Sequence, residues 1–584
     1  YFALPTRTSA TQIHERVVRA VANTFGGLPR DRQPPVTLAV PGYLRVDEAT
    51  GQALPNFEVL WPDPGTTRDR TWAAEHPKRF LAGSIVVGTI DQALLSTLVV
   101  DHSHLRATAL SRLLLVVDEV HASDAYMTKL LDELLAFHFA CGGHALLMSA
   151  TLGTTTRQQF MARVRSRDPL ASLPKQVPMP LDEACREAYP AVHHAGSSSA
   201  SVTHPALTPG NPKSCSVELW SAIDDARAIA ARALEAARRG ALVLVLRNTV
   251  ADAVATQEAL DGLADSADQG LLFEVNGVST LHHARFADAD RRLLDDAVEA
   301  RIGKHANRDR GAIVVATQTV QQSLDLDADL LITDLCPMDV LLQSIGRLHR
   351  HVRSVSERPH GFREAVCVVL DPGPLNDLID ERGNVHGRHG FGRVYEDVRI
   401  VEATRDLLIE RRTLAIPLDS RILVERTTHP HALEALVAKA GPNMAAHAMK
   451  TTGTVTVHRQ LAKGHGVDRT KVIGEYGFPE RDSARRIATR LGEEDRVLDF
   501  EAPFKSPFGT SVGRVKIPHW LAREWPSEIR GQVRSHLSGT VRFFCLGADG
   551  RVLASFVYDR LGLRAGPSDT SSPPAPQTEE NADE

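Results

Sequence analysis

The chain has 584 residues, 43% of them hydrophobic and 24% charged, with a formal net charge of −5. That length calls for three or four domains with cores of their own, and the slightly acidic balance excludes a simple nucleic-acid-coating protein, although a motor needs only a local basic track. No apolar run approaches the roughly eighteen residues of a membrane span and no signal-peptide pattern opens the chain, so a soluble cytoplasmic protein is expected.

Residues 1 to about 165 alternate apolar strands with helical stretches, as a parallel α/β lobe does. Pro5, Thr6 and Arg7 follow the first strand, and Thr89 follows another. Leu113 to Val117 is a continuous apolar run that suits a strand buried on both faces, and it ends in Asp118, Glu119, Val120 and His121. Ligands of open α/β sheets bind beyond the carboxyl ends of such strands. Two adjacent carboxylates there suit two duties, one holding hydrated Mg²⁺ against phosphates and one orienting the attacking water; an acidic pair also serves as a solvated helix start. Residues 124–138 carry Leu130, Leu131, Leu134 and Leu135 at helical spacing, a core-facing stripe. The strand Ala145 to Met148 then ends in Ser149, Ala150 and Thr151, which would equally suit a helix N-cap.

Residues 166–214 hold Pro, Ser, Gly and His without periodicity and read as a linker or insertion. A second α/β lobe spans 215–375, with an Ala-rich helix over 224–239 and strands at 241–246, 312–315 and 365–370 before Asp371-Pro372-Gly373-Pro374 breaks the pattern. Thr249 and Thr317 follow strands of this lobe. Gln343, Gly346, Arg347 and Arg350 stand together near its end, and a planar, permanently charged guanidinium is suited to clamping the oxygens of a transferring phosphoryl group. Residues 376–490 read as a helical connector and 491–565 as a small domain with strands at 515–517 and 539–545. Trp520 and Trp525 in it suit either a buried structural role or base stacking. The tail 566–584, rich in Pro, Ser, Thr and acid, predicts disorder. The six cysteines, at 141, 185, 215, 336, 367 and 545, include no Cys-x-x-Cys pair and read as reduced core residues. Histidines at 282–283, 349–360 and 386–389 lack the paired spacing that fixes a metal.

The segment Ala316-Thr317-Gln318-Thr319-Val320-Gln321-Gln322-Ser323-Leu324-Asp325-Leu326-Asp327, with Asp334 to Asp339, the acidic box, Ser149 to Thr151 and Gln343 to Arg350, resembles the DEVH-box superfamily 2 helicase of type I CRISPR interference. Leu4 to Gln12, Val87 to Ala93 and His283 to Phe286 with Asp290-Arg291 agree with it. The resemblance implies an α/β fold of two tandem RecA-like parallel-sheet lobes followed by a helical connector and a small C-terminal domain, with ATP and Mg²⁺ as cofactors. It implies that Asp118 holds Mg²⁺, that Glu119 activates water, and that Arg347 and Arg350 reach the phosphates. His121, Asp325, Gln343 and Gly346 would line the nucleotide, and Ser149, Ala150 and Thr151 would couple hydrolysis to motion. Pro5, Thr6, Arg7, Thr89, Thr249 and Thr317 would touch the DNA backbone, with capping and turn chemistry as the alternative. Many members of the family carry glutamate where this chain has Gln321.

The implied activity is ATP-driven, 3′ to 5′ translocation on single-stranded DNA opened by an RNA-guided surveillance complex. A histidine-aspartate metal nuclease, which the family often carries, would lie upstream or on a separate chain, since no His-Asp dipeptide occurs here. Nor does a Gly-x-x-x-x-Gly-Lys-Ser/Thr phosphate loop; the one Gly-Lys pair, Gly303-Lys304, is followed by His305. The family places that loop just before the opening strand of this chain, and residue 1 is Tyr, so the expectation is an upstream truncation that removes an interior strand of the first sheet. Another superfamily 2 DNA or RNA helicase, or a binding-only remnant, are the rival readings.

Overall fold

The computed structural model describes residues 1–54, 58–62, 68–120, 124–166, 173, 176–196, 198–205, 212–321, 324–471, 489, 495–522, 525–526, 528–537 and 539–566. The first lobe is a seven-stranded sheet in the order Ala49–Thr50, Arg45–Val46, Val36–Ala39, Ile85–Thr89, Phe2–Leu4, Leu115–Val117, Ala145–Leu147. The last five run parallel, Phe2 pairing with Val87 on one side and Val116 on the other. These interior strands are apolar on both faces because helices cover both. One is Arg7–Phe25, and another is Ala125–Ala140, where Asp124 caps the N-terminus by accepting from Met127 N at 2.7 Å and Leu130, Leu131, Leu134 and Leu135 are buried. The expected interior gap is not there. Phe2–Leu4 itself occupies the middle of the sheet, and the open position is the edge beside Ala145–Leu147, where Leu146 and Met148 are 46% and 38% exposed.

Residues 181–186 form a helix and Val192–Ala195 pairs antiparallel with Ala200–Thr203, so the 166–214 segment carries structure of its own. The second lobe's sheet has the order Ala312–Ala316, Leu242–Leu246, Leu330–Asp334, Ala365–Leu370, Lys213–Trp220, Thr413–Ile416. Its last strand, antiparallel to Lys213–Trp220, comes from residues assigned by sequence to the helical connector. The lobe therefore does not close at 375; a four-residue strand with one buried residue, Leu414, is too short to show a period.

The connector's helices are Val398–Glu410, Ser420–Thr428, Pro430–Ala440 and Pro442–His465. The last reaches back to the first lobe, where the His465 carbonyl accepts from Val99 N at 2.9 Å and its Nδ1 pairs with the Tyr126 hydroxyl at 2.9 Å. The C-terminal domain is a six-stranded sheet in the order Ser511–Ile517, Arg496–Lys505, Ile529–Leu537, Thr540–Gly547, Val552–Asp559, Gly562–Ala565. Its core is continuous with that of the second lobe, whereas the first lobe has separate clusters. Docking runs through residues 283–290: buried Asp290 accepts from the Tyr558 hydroxyl at 2.6 Å and from Ser506 Oγ at 2.8 Å, and Phe286 packs on Phe508 and Tyr558. The tail expected to be disordered lies, from 567 to 584, outside the described residues. Four cysteines are buried and Cys185 is half-buried, but Cys141, which ends the helix Ala125–Ala140, is exposed, so the expectation of six core cysteines is corrected there.

Candidate active site

The acidic box sits where the sheet ends. The strand Leu115–Val117 is followed by Asp118, whose N–H still pairs with the Ala3 carbonyl at 3.0 Å. Glu119 then turns the chain with φ at +55°, a left-handed backbone that costs a glutamate on the order of 1 kcal/mol and so is held by its surroundings. Its N–H donates to Asp118 Oδ1 at 3.1 Å. Val120 N then donates to the Met148 carbonyl at 3.1 Å, which fixes the acidic box beside the Ser149-Ala150-Thr151 turn on the neighbouring strand. In that turn Ser149 Oγ accepts from Thr151 N at 3.2 Å, Ala150 is exposed, and the buried Thr151 hydroxyl has no hydrogen-bond partner among the described residues. His121 lies outside the described residues.

Across from this edge stands the end of the helix Met338–Ile345, which carries Gln343 and stops at Gly346; a β-carbon on Gly346 would meet the Gln343 carbonyl at 2.9 Å. Half-buried Arg347 follows, donating to the Gln321 carbonyl, while its Nε is buried without a hydrogen-bond acceptor among the described residues. Burial and the neighbouring Arg350 push its pKa down to about 10, and Asp325 and Glu119 oppose them. Glu119 of the first lobe thus acts electrostatically on Arg347 of the second. Arg350 is placed differently. Exposed, it pairs through Nε with Asp325 Oδ1 at 2.7 Å, and His351 Nε2 reaches the same oxygen at 3.0 Å. Asp118 and Glu119 therefore stand together at one strand end, with the charge of Glu119 felt at Arg347, and Asp325 holds Arg350 within the second lobe.

Sequence reasoning missed the groups that fix these arginines. Buried Asp327 and Asp329 receive Arg358 at 2.9 and 2.6 Å, and Arg308 and Arg353 join them. Burial alone would raise the Asp327 carboxyl, but bonds from Arg353 and Arg358 hold it down at about 2. The Arg347 carbonyl accepts from Ala328 N at 2.9 Å, so this cluster sets the Arg347 turn directly. Gln321 adds a bond from Nε2 to Ser344 Oγ at 2.6 Å; the amide at this position donates where a glutamate would accept. Glu425 of the connector was also missed. Its carboxylate accepts from Thr154 N at 2.7 Å and Thr154 Oγ1 at 3.0 Å, and Arg421 donates to the Leu152 carbonyl at 2.9 Å, clamping the residues just after Thr151. The one available signal was the alternation of Asp325, Asp327 and Asp329 ahead of an Arg-rich stretch.

The candidate backbone-contact residues all stand at carboxyl ends of strands. Thr6 and Thr249 cap helices, accepting from Ser9 N and Asp252 N at 3.1 Å each. Thr89 and Thr317 occupy the same kind of position without a side-chain cap bond. Pro5 is half-buried and Arg7 exposed in the first helical turn. The histidines are engaged locally: His282 with Asp295 at 2.7 Å, His386 with Asp380 at 2.9 Å, and His389 with Asp252 at 2.9 Å. Among the described residues no group of three His, Cys, Asp or Glu is placed to hold a metal, and no helix is long and apolar enough to cross a membrane.

A family model described as CRISPR-associated nuclease/helicase Cas3, C-terminal, matches residues 239–353. The chain is 34% identical over 348 residues to the CRISPR-associated endonuclease/helicase Cas3 of Escherichia coli (strain K12), covering 58% of this chain and 35% of that protein. It is 28% identical over 572 residues to the CRISPR-associated endonuclease/helicase Cas3 of Thermus thermophilus, covering 88% of this chain and 58% of the relative. The chain thus spans between about a third and three-fifths of the length of these relatives. In fold it superimposes on the crystal structure of T. fusca Cas3 with a TM-score of 0.67 at 22% identity, over 96% of this chain and 64% of that one. It also matches a chain from a structure entitled CRISPR RNA-guided surveillance complex, pre-nicking, with a TM-score of 0.58 at 21% identity, over 96% of this chain and 67% of that one. With the acidic box, the serine-alanine-threonine turn and the arginine turn arranged on two parallel-sheet lobes, the chain is thus a homologue of CRISPR-associated Cas3 nuclease/helicases in sequence, matches their C-terminal family model over residues 239–353, and shares the fold of the T. fusca protein.

Proposed function

We propose that these residues form the metal, water and arginine side of an ATPase cleft that drives single-stranded DNA through a helicase of CRISPR interference. The observation that carries this is the acidic pair at a strand end, tied by Val120 N and the Met148 carbonyl to the Ser149-Ala150-Thr151 turn, in a chain whose second lobe holds Arg347 half-buried. The buried Arg347 Nε, lacking an acceptor among the described residues, fits an anion such as a γ-phosphate. Asp118 at the strand end suits Mg²⁺, which is commonly held by one or two carboxylates together with phosphate oxygens and water. When bound, Mg²⁺ would neutralise charge developing on the phosphates.

Within the chain, Glu119 orients and deprotonates the attacking water, and Arg347 stabilises charge on the transferring group. Arg350 would join it on leaving Asp325. Thr151, clamped from the connector through Leu152 and Thr154, passes cleft closure to the helices that span both lobes. Structures of T. fusca Cas3 entitled with AMPPNP and with ATP, and the surveillance-complex structure, support nucleotide use and an RNA-guided partner. The phosphate-cradling loop is not among these 584 residues. In protein joining them to such a loop, ATP hydrolysis should be stimulated by single-stranded DNA and not by RNA. Glu119→Gln should keep ATP binding and lose about a hundredfold or more in turnover. Equal stimulation by RNA would favour another superfamily 2 helicase, and near-normal hydrolysis in the Gln variant would remove Glu119 from the mechanism.

A further inference from the structure

Three parts of the molecule meet at one exposed indole. Trp520, in the short helical turn His519–Leu521 of the C-terminal domain, is 42% exposed. The Arg285 guanidinium of the second lobe lies 5.4 Å from its ring centroid, and that of Arg393, from the connector, lies 5.9 Å away. Neither guanidinium makes a salt bridge or side-chain hydrogen bond with a described residue, in a chain where most arginines near the cleft are paired. The acid that most attracts Arg285 is Asp495, whose Oδ1 already accepts from His519 N at 3.1 Å.

Two like charges gathered on one ring from separate elements repel each other, and the ring's face offsets this only in part. An anion bridging them offsets the repulsion, and a planar group beside that anion packs against the exposed part of the indole. Phosphate and planar base together describe a nucleotide with its base unpaired. The location agrees. The His282 carbonyl, three residues before Arg285, accepts from Thr317 N at 3.0 Å, and the Tyr395 hydroxyl, two residues after Arg393, accepts from Gln318 Nε2 at 2.8 Å. The indole thus stands next to the strand-end rim that carries Thr317.

We propose that Trp520, Arg285 and Arg393 form a clasp for one nucleotide of single-stranded nucleic acid, the base on the indole and the phosphate between the guanidiniums. The clasp rests on the single-strand track proposed above and extends it onto the C-terminal domain. The test uses the 584-residue chain without nucleotide and a fluorescent twelve-residue oligo-dT. Binding should quench tryptophan emission, and Trp520→Phe should remove most of that quench. Trp520→Ala should weaken binding about tenfold, and an abasic oligonucleotide should lower wild-type affinity by a similar factor. Arg285→Gln and Arg393→Gln should each reduce the slope of log affinity against log salt by about 0.7, one phosphate contact's worth on a single strand. Unchanged oligo-dT binding in Trp520→Ala, Arg285→Gln and Arg393→Gln overturns the clasp and leaves the track intact. No oligo-dT binding by the wild-type chain overturns both, and a Trp520 signal given by poly-glutamate but not by oligo-dT reassigns the site to acidic peptides.

Discussion

The two lobes share an architecture and differ in how their sheets are closed. In the second lobe every residue of Leu242–Leu246 is at most 1% exposed, with parallel neighbours on both sides. The ends of its strands are locked internally: Arg247 pairs with buried Asp334 at 2.8 Å, and Asn248 N donates to the same carboxylate at 2.7 Å. In the first lobe the strand nearest the site, Ala145–Leu147, is an edge, and its Ser149–Thr151 turn is held from outside by Arg421 and Glu425 of the connector. The difference teaches a division of labour. The second lobe presents arginines locked within its own sheet, and the first presents an acidic pair beside a serine-alanine-threonine turn whose following residues are held by the connector.

The largest effects should come from the facing groups of the two lobes. In protein supplied with a phosphate loop, Arg347→Ala should slow hydrolysis about a thousandfold, the scale of an arginine finger. Arg350→Ala should also slow it strongly, while single-stranded DNA affinity stays within about twofold, since the proposed role of both is on phosphate and not on the track. Parallel loss of DNA binding, measured by anisotropy, would mean that the second lobe is misfolded or that the arginine roles are wrong. The 584-residue chain alone should show no ATP turnover above background in a phosphate-release assay, since its sequence contains no phosphate loop.

Next in size is a core comparison. Leu244 is fully buried at the centre of the second sheet, so Leu244→Ala should cost about 3 kcal/mol, the usual penalty for lost burial plus a cavity. Urea unfolding followed by C-terminal tryptophan emission should report it, because that domain shares the second lobe's core. A cost below about 1 kcal/mol would show that the second lobe is not the rigid partner.

How much of this was legible in the sequence follows from the range of the interactions. Val117-Asp118-Glu119 and Leu147-Met148-Ser149 announce strand ends because an apolar run stops at polar residues, and both strands are present. The helix Ala125–Ala140 announces itself through leucine spacing and the Asp124 cap. Thr413–Ile416 and the Glu425 to Thr154 contact, 271 residues apart, leave no local trace. The segment His283 to Phe286 was legible as a family feature but not as the C-terminal docking ridge, because its partners Tyr558, Phe508 and Leu561 lie more than two hundred residues on. Arg350 was assigned to the phosphates, and only the structure places it on Asp325.

Acid should weaken the second lobe and its C-terminal partner more than the first. His283 is fixed as one neutral tautomer: Nε2 donates to the Leu561 carbonyl at 3.0 Å and Nδ1 accepts from Arg285 N at 3.0 Å. Burial above all lowers its pKa to about 3, and burial lowers His282 and His349 to about 4 each. Because the folded pKa lies below the unfolded value, the stability from each neutral ring is full above about pH 6.5 and is lost as pH falls toward the folded pKa. Between pH 6.5 and 5 the loss is about 2 kcal/mol per ring. His14, His76 and His138 of the first lobe are also lowered by burial, but less far. The urea midpoint reported by C-terminal tryptophan emission should therefore drop steeply from pH 7 to pH 5, and His283→Gln should flatten that drop. A flat profile in the wild-type chain would mean these histidines are not buried in solution.

The smallest effect sharpens the contrast most. Leu146 lies in the same kind of parallel strand as Leu244 but at 46% exposure on an open edge, so Leu146→Ala removes little buried area and should change stability by about 0.5 kcal/mol or less. Edge strands carry unpaired backbone groups and open at low free energy, so hydrogen exchange should be fastest in the first lobe around 145–151 and slowest over 242–246. Limited proteolysis should accordingly cut the first lobe and spare a fragment beginning near residue 213, where the second sheet starts. Equal resistance of both lobes, with Leu146→Ala as costly as Leu244→Ala, would show that the edge is covered in solution and that the acidic turn is held as firmly as the arginines of the second lobe.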